Sequence, residues 1–141
     1  MKITRLIYVS KASSHISEDD IRELTEVSIS RNAKLKLTGY LTYRDNQFLQ
    51  YLEGSDEHIE EIWASIKKDP RHDISQFWKY ESDGPRFFPN WHMRYLRADK
   101  ADDRIYDILA RTFEAMRPPI SPDVSDLLDN LIGEIAEQTK T

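Results

Sequence analysis

Cysteine is absent from all 141 residues. Its absence excludes disulfides, thiolate nucleophiles, iron–sulfur clusters, cysteine-ligated zinc and any cysteinyl cofactor adduct. Long apolar runs are absent as well. No stretch approaches the roughly 18 residues of a membrane span, and Met1–Ser10 alternates like a strand, with no charged start and apolar stretch of a signal peptide. The expectation is a soluble cytoplasmic protein that binds no membrane. Glycine (4) and proline (6) are scarce beside 3 Trp, 7 Tyr and 5 Phe, so the chain is not low-complexity and should build a core. At this length a single core needs no disulfide or metal to fold. A positive surplus is lacking too. Residues 99–141 hold 10 acidic and 5 basic side chains against 15 and 15 in residues 1–98, so the net charge of −5 belongs to the tail. Neither part offers the basic face that a phosphate backbone demands, and no nucleic-acid partner is expected.

The patterning is richer. Ile3–Ser10 alternates as a strand, with Leu6, Tyr8 and Ser10 on one face and Ile7 and Val9 on the other. Ser17 with Asp20 forms a capping box that opens a helix running through Ile21, Leu24, Val27 and Ser28 to about Asn32. Leu37–Tyr43 and Gln47–Leu52 read as a hairpin turning at Asp45-Asn46. A second helix starts at Gly54-Ser55, buries Ile59, Ile62, Trp63 and Ile66, and stops at Pro70. Ser75–Glu81 and Trp91–Arg97 read as the last strands.

The order β-α-β-β-α-β, with a fifth strand added, predicts an α+β ferredoxin-like sheet with both helices on one face. Right-handed crossovers make the first and third strands neighbours. Tyr8 and Gln50 then face the helices together. The opposite face, with Ile7, Val9, Tyr40, Leu49 and Tyr51, is too apolar to stay wet. Two tail helices can cover it, one with Ile105, Ile108, Leu109, Phe113 and Met116 inward, the other capped by Ser121 with Val124, Leu127, Leu128, Leu131 and Ile135 inward. We divide the chain at 1–98 and 99–141, the second part being a helical cap or output extension. The apolar surface exceeds what one neutral body hides, so a homodimer or larger homo-oligomer is expected.

The chemistry concentrates at one place. His15, His58, His72 and His92 have no metal-ligand spacing, no phosphate loop is present, and no serine sits in a nucleophile elbow, so no metal site and no catalytic residue is assigned. Gln50 is an amide on an apolar strand face between Phe48 and Leu52, and it needs partners. Tyr8 across the ladder is one, and Asn32 points to the same space. Leu24 and Ile66 wall a slot that suits a flat heteroaromatic. The same pair serves equally as a hydrogen bond that fixes strand register. Asp69, Arg71 and His72 are either an ion-pair cluster at a helix end or a polar wall of that slot.

Five ordered pieces resemble the BLUF domain, a family of blue-light sensors that bind FAD: Arg5-Leu6-Ile7-Tyr8-Val9-Ser10; Asn32 before Leu37-Thr38-Gly39; Phe48-Leu49-Gln50-Tyr51-Leu52-Glu53-Gly54; Asp69-Pro70-Arg71-His72; and Phe88-Pro89-Asn90-Trp91-His92-Met93. The resemblance implies FAD, with FMN or riboflavin left open, held non-covalently between the two helices. It implies that Tyr8 reduces the photoexcited flavin and that Gln50 bridges Tyr8 to the flavin. It further implies that Asn32 bonds the ring edge, that Leu24 and Ile66 sandwich the ring, and that Phe48, Asp69, Arg71 and His72 contribute contacts. Trp91 and Met93 match a pair that transmits the signal. Arg31 and Ser65 are also counted among the cofactor-binding positions, although Arg31 stands where many members, and Ser65 where some, have another polar residue. With 43 residues beyond the sensor, output is expected to pass by contact to a separate protein and not through an enzymatic domain. The other readings are a non-photoactive ligand or protein-binding module, an RRM-like RNA binder and an acylphosphatase-like enzyme.

Overall fold

The computed structural model describes residues 2–70, 72–97 and 103–139, with the backbone alone for His72 and Asp103. In chain order the elements are β1 (Ile3–Ala12), α1 (Glu18–Lys34), β2 (Thr38–Arg44), β3 (Gln47–Gly54), α2 (Asp56–Lys68), β4 (His72–Ser82), β5 (Arg94–Arg97), α3 (Asp103–Ala115) and α4 (Val124–Gln138). The sheet order is β4-β1-β3-β2-β5. All neighbours are antiparallel except β5, which runs parallel to β2. The ferredoxin-like α+β arrangement with a fifth strand is therefore the observed one.

Local signals account for the boundaries. Ser17 Oγ accepts from the Asp20 amide at 3.1 Å and Asp20 Oδ2 accepts from the Ser17 amide at 3.0 Å, which satisfies two donors at the start of α1. The same bonds hold the Asp20 carboxyl below its ordinary value. Asp45 and Asn46 take φ of 52° and 64°, the pair of positive angles that a two-residue hairpin turn needs. At Gly39 a side chain would drive into the Tyr51 carbonyl of the neighbouring strand, so only glycine fits there.

The sheet is covered on both faces. One core unites Leu6, Leu37, Leu41 and Leu52 with Ile21 of α1 and with Ile59, Ile62 and Ile66 of α2. The other unites Ile7, Val9, Tyr40, Leu49 and Tyr51 with α3 and α4. Alternation along β1 and β3 had assigned those faces correctly, and the tail covers the apolar face as expected.

Four expectations need correction. Ser121 does not cap α4. It makes a turn ahead of it, its carbonyl accepting from the Val124 amide at 3.0 Å, and the helix starts at Val124. Leu127 points outward, 47% exposed, while Ile132 is buried, because the stripe follows spacings of four, three, one and three from Val124 through Leu128, Leu131 and Ile132 to Ile135. β4 begins at His72, three residues before the expected Ser75. The last strand begins at Arg94, not Trp91. Upstream of it, one backbone bond persists, from the Gly39 amide to the Trp91 carbonyl at 2.9 Å, and side chains supply the rest: Asn32 Nδ2 donates to the His92 carbonyl at 2.7 Å, and His92 Nδ1 donates to the Leu37 carbonyl at 3.0 Å.

Candidate functional site

Tyr8 and Gln50 are direct partners in the β1–β3 ladder. Both side chains are buried on the face toward α1 and α2. The Tyr8 hydroxyl donates a hydrogen bond to Gln50 Oε1. That bond orients the amide, whose Nε2 then donates to Met93 Sδ at 3.8 Å. Thioether sulfur is a weak acceptor. The amide therefore has a strong bond at one end and a weak one at the other.

Burial pushes the Tyr8 hydroxyl well above its ordinary value; Arg31 partly opposes this and Asp69 adds to it. The phenol is thus a neutral donor at any physiological pH.

These two residues form the inner wall of a cavity of about 740 Å³ between α1 and α2. That size suits a tricyclic ring with part of a side chain. Leu24 and Arg31 line it from α1, Phe48 from β3, Ser65 and Ile66 from α2, and Asp69 from the end of α2. Its mouth is closed at one side by Ser13 Oγ, which donates to the Pro70 carbonyl at 3.0 Å.

Eight of the expected site residues thus converge on one slot: Tyr8, Leu24, Arg31, Phe48, Gln50, Ser65, Ile66 and Asp69. Asn32 is fully buried beside it without lining it, held by its bond to His92. Its Oδ1 is buried with no partner, an acceptor that an N–H on a ligand's edge would satisfy. Arg71 and the side chain of His72 lie outside the described residues.

Trp91 and Met93 part company. Met93 is buried in the slot-side core. Trp91 packs into the opposite core, stacked on Phe88 with 5.0 Å between centroids and the Arg94 guanidinium 4.4 Å over its ring.

The sequence reading overlooked Ser28 and Leu41 as lining residues, although each carried a signal. Ser28 lies one turn before Asn32 on α1, and Leu41 is the β2 partner of Gln50. Val27 and the loop Ser13–Ile16 also line the slot. Among the described residues, no group of three His, Asp or Glu is placed to hold a metal ion, and no helix is long and apolar enough to cross a membrane.

A sheet with a slot between its two helices, floored by a Tyr–Gln pair backed by Met93 and walled by aliphatic side chains, defines a site for a planar, hydrogen-bonding cofactor. The family model "Sensors of blue-light using FAD" matches residues 3–94, and the chain belongs to this BLUF family of flavin-based photoreceptors. It is similar to photoactivated adenylate cyclase subunit beta of Euglena gracilis, 30% identical over 142 residues, a match covering 94% of this chain and 16% of that protein. It is also similar to the blue light- and temperature-regulated antirepressor BluF of Escherichia coli, 36% identical over 74 residues, half of this chain and 17% of that protein. The chain thus spans about a sixth of the length of the curated relatives it matches. Among solved structures, BlsA in its photo-activated state superposes with a TM-score of 0.75 at 27% identity, covering 99% of this chain and 98% of that one. BlrB in its dark state superposes with 0.69 at 26% identity, covering 94% and 96%. Residues 3–94 are a BLUF sensor module, and a bacterial light-regulated adenylyl cyclase is also similar over 96% of this chain and 39% of its own.

Proposed function

We propose that the chain is a photoreceptor holding FAD non-covalently in the slot, and that Tyr8 and Gln50 carry its photochemistry. The observation that carries this reading is the Tyr8–Gln50–Met93 chain at the inner wall of the cavity. A bound flavin supplies blue-light absorption and, once excited, a strong one-electron oxidant. Tyr8 is the residue that loses the electron. Its oxidised phenol is acidic, so its proton leaves along the bond to Gln50 Oε1. Gln50 relays it, because a primary amide donates at one end and accepts at the other, and rotation or tautomerisation exchanges the two. Rotation costs little on the far side, where only the weak bond to Met93 is lost. Absence of cysteine excludes a thiol adduct, so the response runs through electron and proton movement alone.

Leu24 and Ile66 would hold the ring between them. The orphaned Asn32 Oδ1 would accept from a ring N–H. Arg31, Phe48, Ser65, Asp69, Arg71 and His72 complete the polar and aromatic surround. Trp91 and Met93 transmit the signal. The three residues Trp91–Met93 place one side chain in each core, which supports a route from the slot to α3 and α4. Residues 1–98 act as the sensor and 99–141 as cap and output surface. Tyr106 and Leu127 are exposed on the tail helices and support docking of a second copy or an output protein in the cytoplasm.

An absorption spectrum before and after blue light tests the reading. Flavin bands with a reversible red shift are expected; a colourless protein, or a spectrum that light leaves unchanged, overturns it and leaves a non-photoactive binding module. Light scattering at micromolar concentration tests the homo-oligomer, which a monomeric mass refutes.

A further inference from the structure

Tyr8 has a second neighbour that the proposed relay does not use. Trp63 of α2 is 5% exposed and lies with its ring centroid 5.4 Å from that of Tyr8, the planes tilted by 46°. Tyr8 lines the slot and Trp63 does not. Trp63 instead faces a separate outer cavity, where its ring lies 5.0 Å from that of Phe77 and the Lys67 ammonium sits 5.7 Å from its centroid. Tyr8 is thus an aromatic ring in contact with both the slot and Trp63.

Resting on the photoreceptor reading above, we infer that Trp63 is a competing electron donor to oxidised Tyr8, and that this contact limits how many absorbed photons reach the Gln50 relay. The balance is one electron. Tyr8 gives an electron to the excited flavin and becomes a radical cation. Two exits are then open. If the proton leaves to Gln50, Tyr8 becomes a neutral radical, a weaker oxidant that no longer draws on the indole. If an electron arrives first from Trp63, Tyr8 is restored with its proton in place. The indole then holds the positive charge, which is cancelled when the electron returns from the flavin, and Gln50 never moves.

The Tyr8–Gln50 hydrogen bond favours the first exit. The ring contact favours the second. Lys67 acts as a brake on the second, because a cation near the indole face opposes loss of an electron from it. Asp73 lines the same outer cavity and works in the opposite sense.

The test uses the full chain loaded with flavin. Trp63→Phe keeps an aromatic ring of similar shape but resists oxidation, so the yield of the red-shifted state per absorbed photon should rise with the shift itself unchanged. Lys67→Gln, at an exposed position, releases the brake and should lower that yield. Transient absorption should show a tryptophan radical in the parent, more of it in Lys67→Gln, and none in Trp63→Phe. The inference is overturned by equal yields in flavin-loaded parent and Trp63→Phe, by a lower yield in Trp63→Phe, or by a radical that survives that substitution. It is also overturned if Lys67→Gln leaves the yield unchanged or raises it. A chain that binds no flavin, or shows no red shift, overturns the photoreceptor reading and this inference together. A normal photocycle with flat yields overturns this inference alone.

Discussion

Two polar pairs cross the same β1–β3 ladder three residues apart, and they are opposites. Arg5 faces Glu53 on the tail side of the sheet, and Tyr8 faces Gln50 on the slot side. Arg5 and Glu53 are almost fully buried, and their Nη1–Oε1 distance is 2.9 Å. Around them all but one of the polar groups are hydrogen-bonded, the exception being Arg5 Nε, which faces Asp129 only at ion-pair distance. Glu53 also accepts from the Tyr51 and Thr38 hydroxyls and from the Phe87 and Phe88 amides, all within 2.9 Å. Arg5 reaches the Pro85 carbonyl at 2.9 Å and Asp129 of α4 at 3.5 Å. Burial alone would lower the Arg5 pKa, but Tyr51, Glu53 and Asp129 together raise it. The Tyr8–Gln50 pair is neutral, has one strong bond, and ends on a weak sulfur acceptor. A charged cluster with bonds on nearly every side is held in one arrangement, whereas the far end of the Gln50 amide is held only by a weak bond to sulfur. The same ladder thus carries a rigid pin on one face and a movable group on the other.

The largest effect should come from unpairing the pin. Glu53→Leu leaves the Arg5 charge buried and uncompensated, and should cost about 3–5 kcal/mol in urea unfolding. A cost below that of an ordinary surface change would break the comparison.

High pH tests both pairs at once. The hydroxyls of Tyr8, Tyr40, Tyr51 and Tyr80 are all pushed upward, mainly by burial. Unfolded tyrosine ionises near 10. The folded chain thus holds more protons than the unfolded chain above about pH 10, so stability is full below that value and falls as pH rises past it. Tyrosinate absorbance should appear together with loss of far-UV circular dichroism. Ionisation of these buried tyrosines that precedes unfolding would contradict it.

Tyr8→Phe should be mild in stability, about 1 kcal/mol for one lost hydrogen bond. It should keep flavin bound and abolish the red shift, and a normal photocycle would refute the role given to Tyr8. Smallest of all, Met93→Leu should change stability by under about 1.5 kcal/mol yet alter the rate of dark recovery, because it removes the acceptor that holds one orientation of Gln50. An unaltered recovery trace would show that the loose end does not matter.

How legible this was depended on whether periodicity or partners decided a residue's place. Alternation was enough to put Ile7, Val9, Leu49 and Tyr51 on one face and Leu6, Tyr8, Gln50 and Leu52 on the other, and from that the slot followed. Trp91, His92 and Met93 alternate just as a strand does. Their path is set instead by a backbone bond from Gly39 to Trp91 and by the side chains of Asn32 and His92 taking carbonyls 60 and 55 residues away in sequence. No local pattern encodes such long-range bonds. Trp63 read correctly as core, but its contact with Tyr8 depends on how α2 sits on the sheet. The Arg5–Glu53 pin was visible only as two charges inside apolar strands, a signal that becomes meaningful once the ladder register pairs them.

The link from Ser13 to Pro70 bears on how the slot is filled and emptied. It is a single exposed hydroxyl–carbonyl bond between the β1–α1 loop and the end of α2. Bonds of this kind contribute about 1 kcal/mol, so breaking it changes a rate by no more than about tenfold. The contact at this rim can therefore tune how fast the slot is loaded or emptied, but only by that small factor.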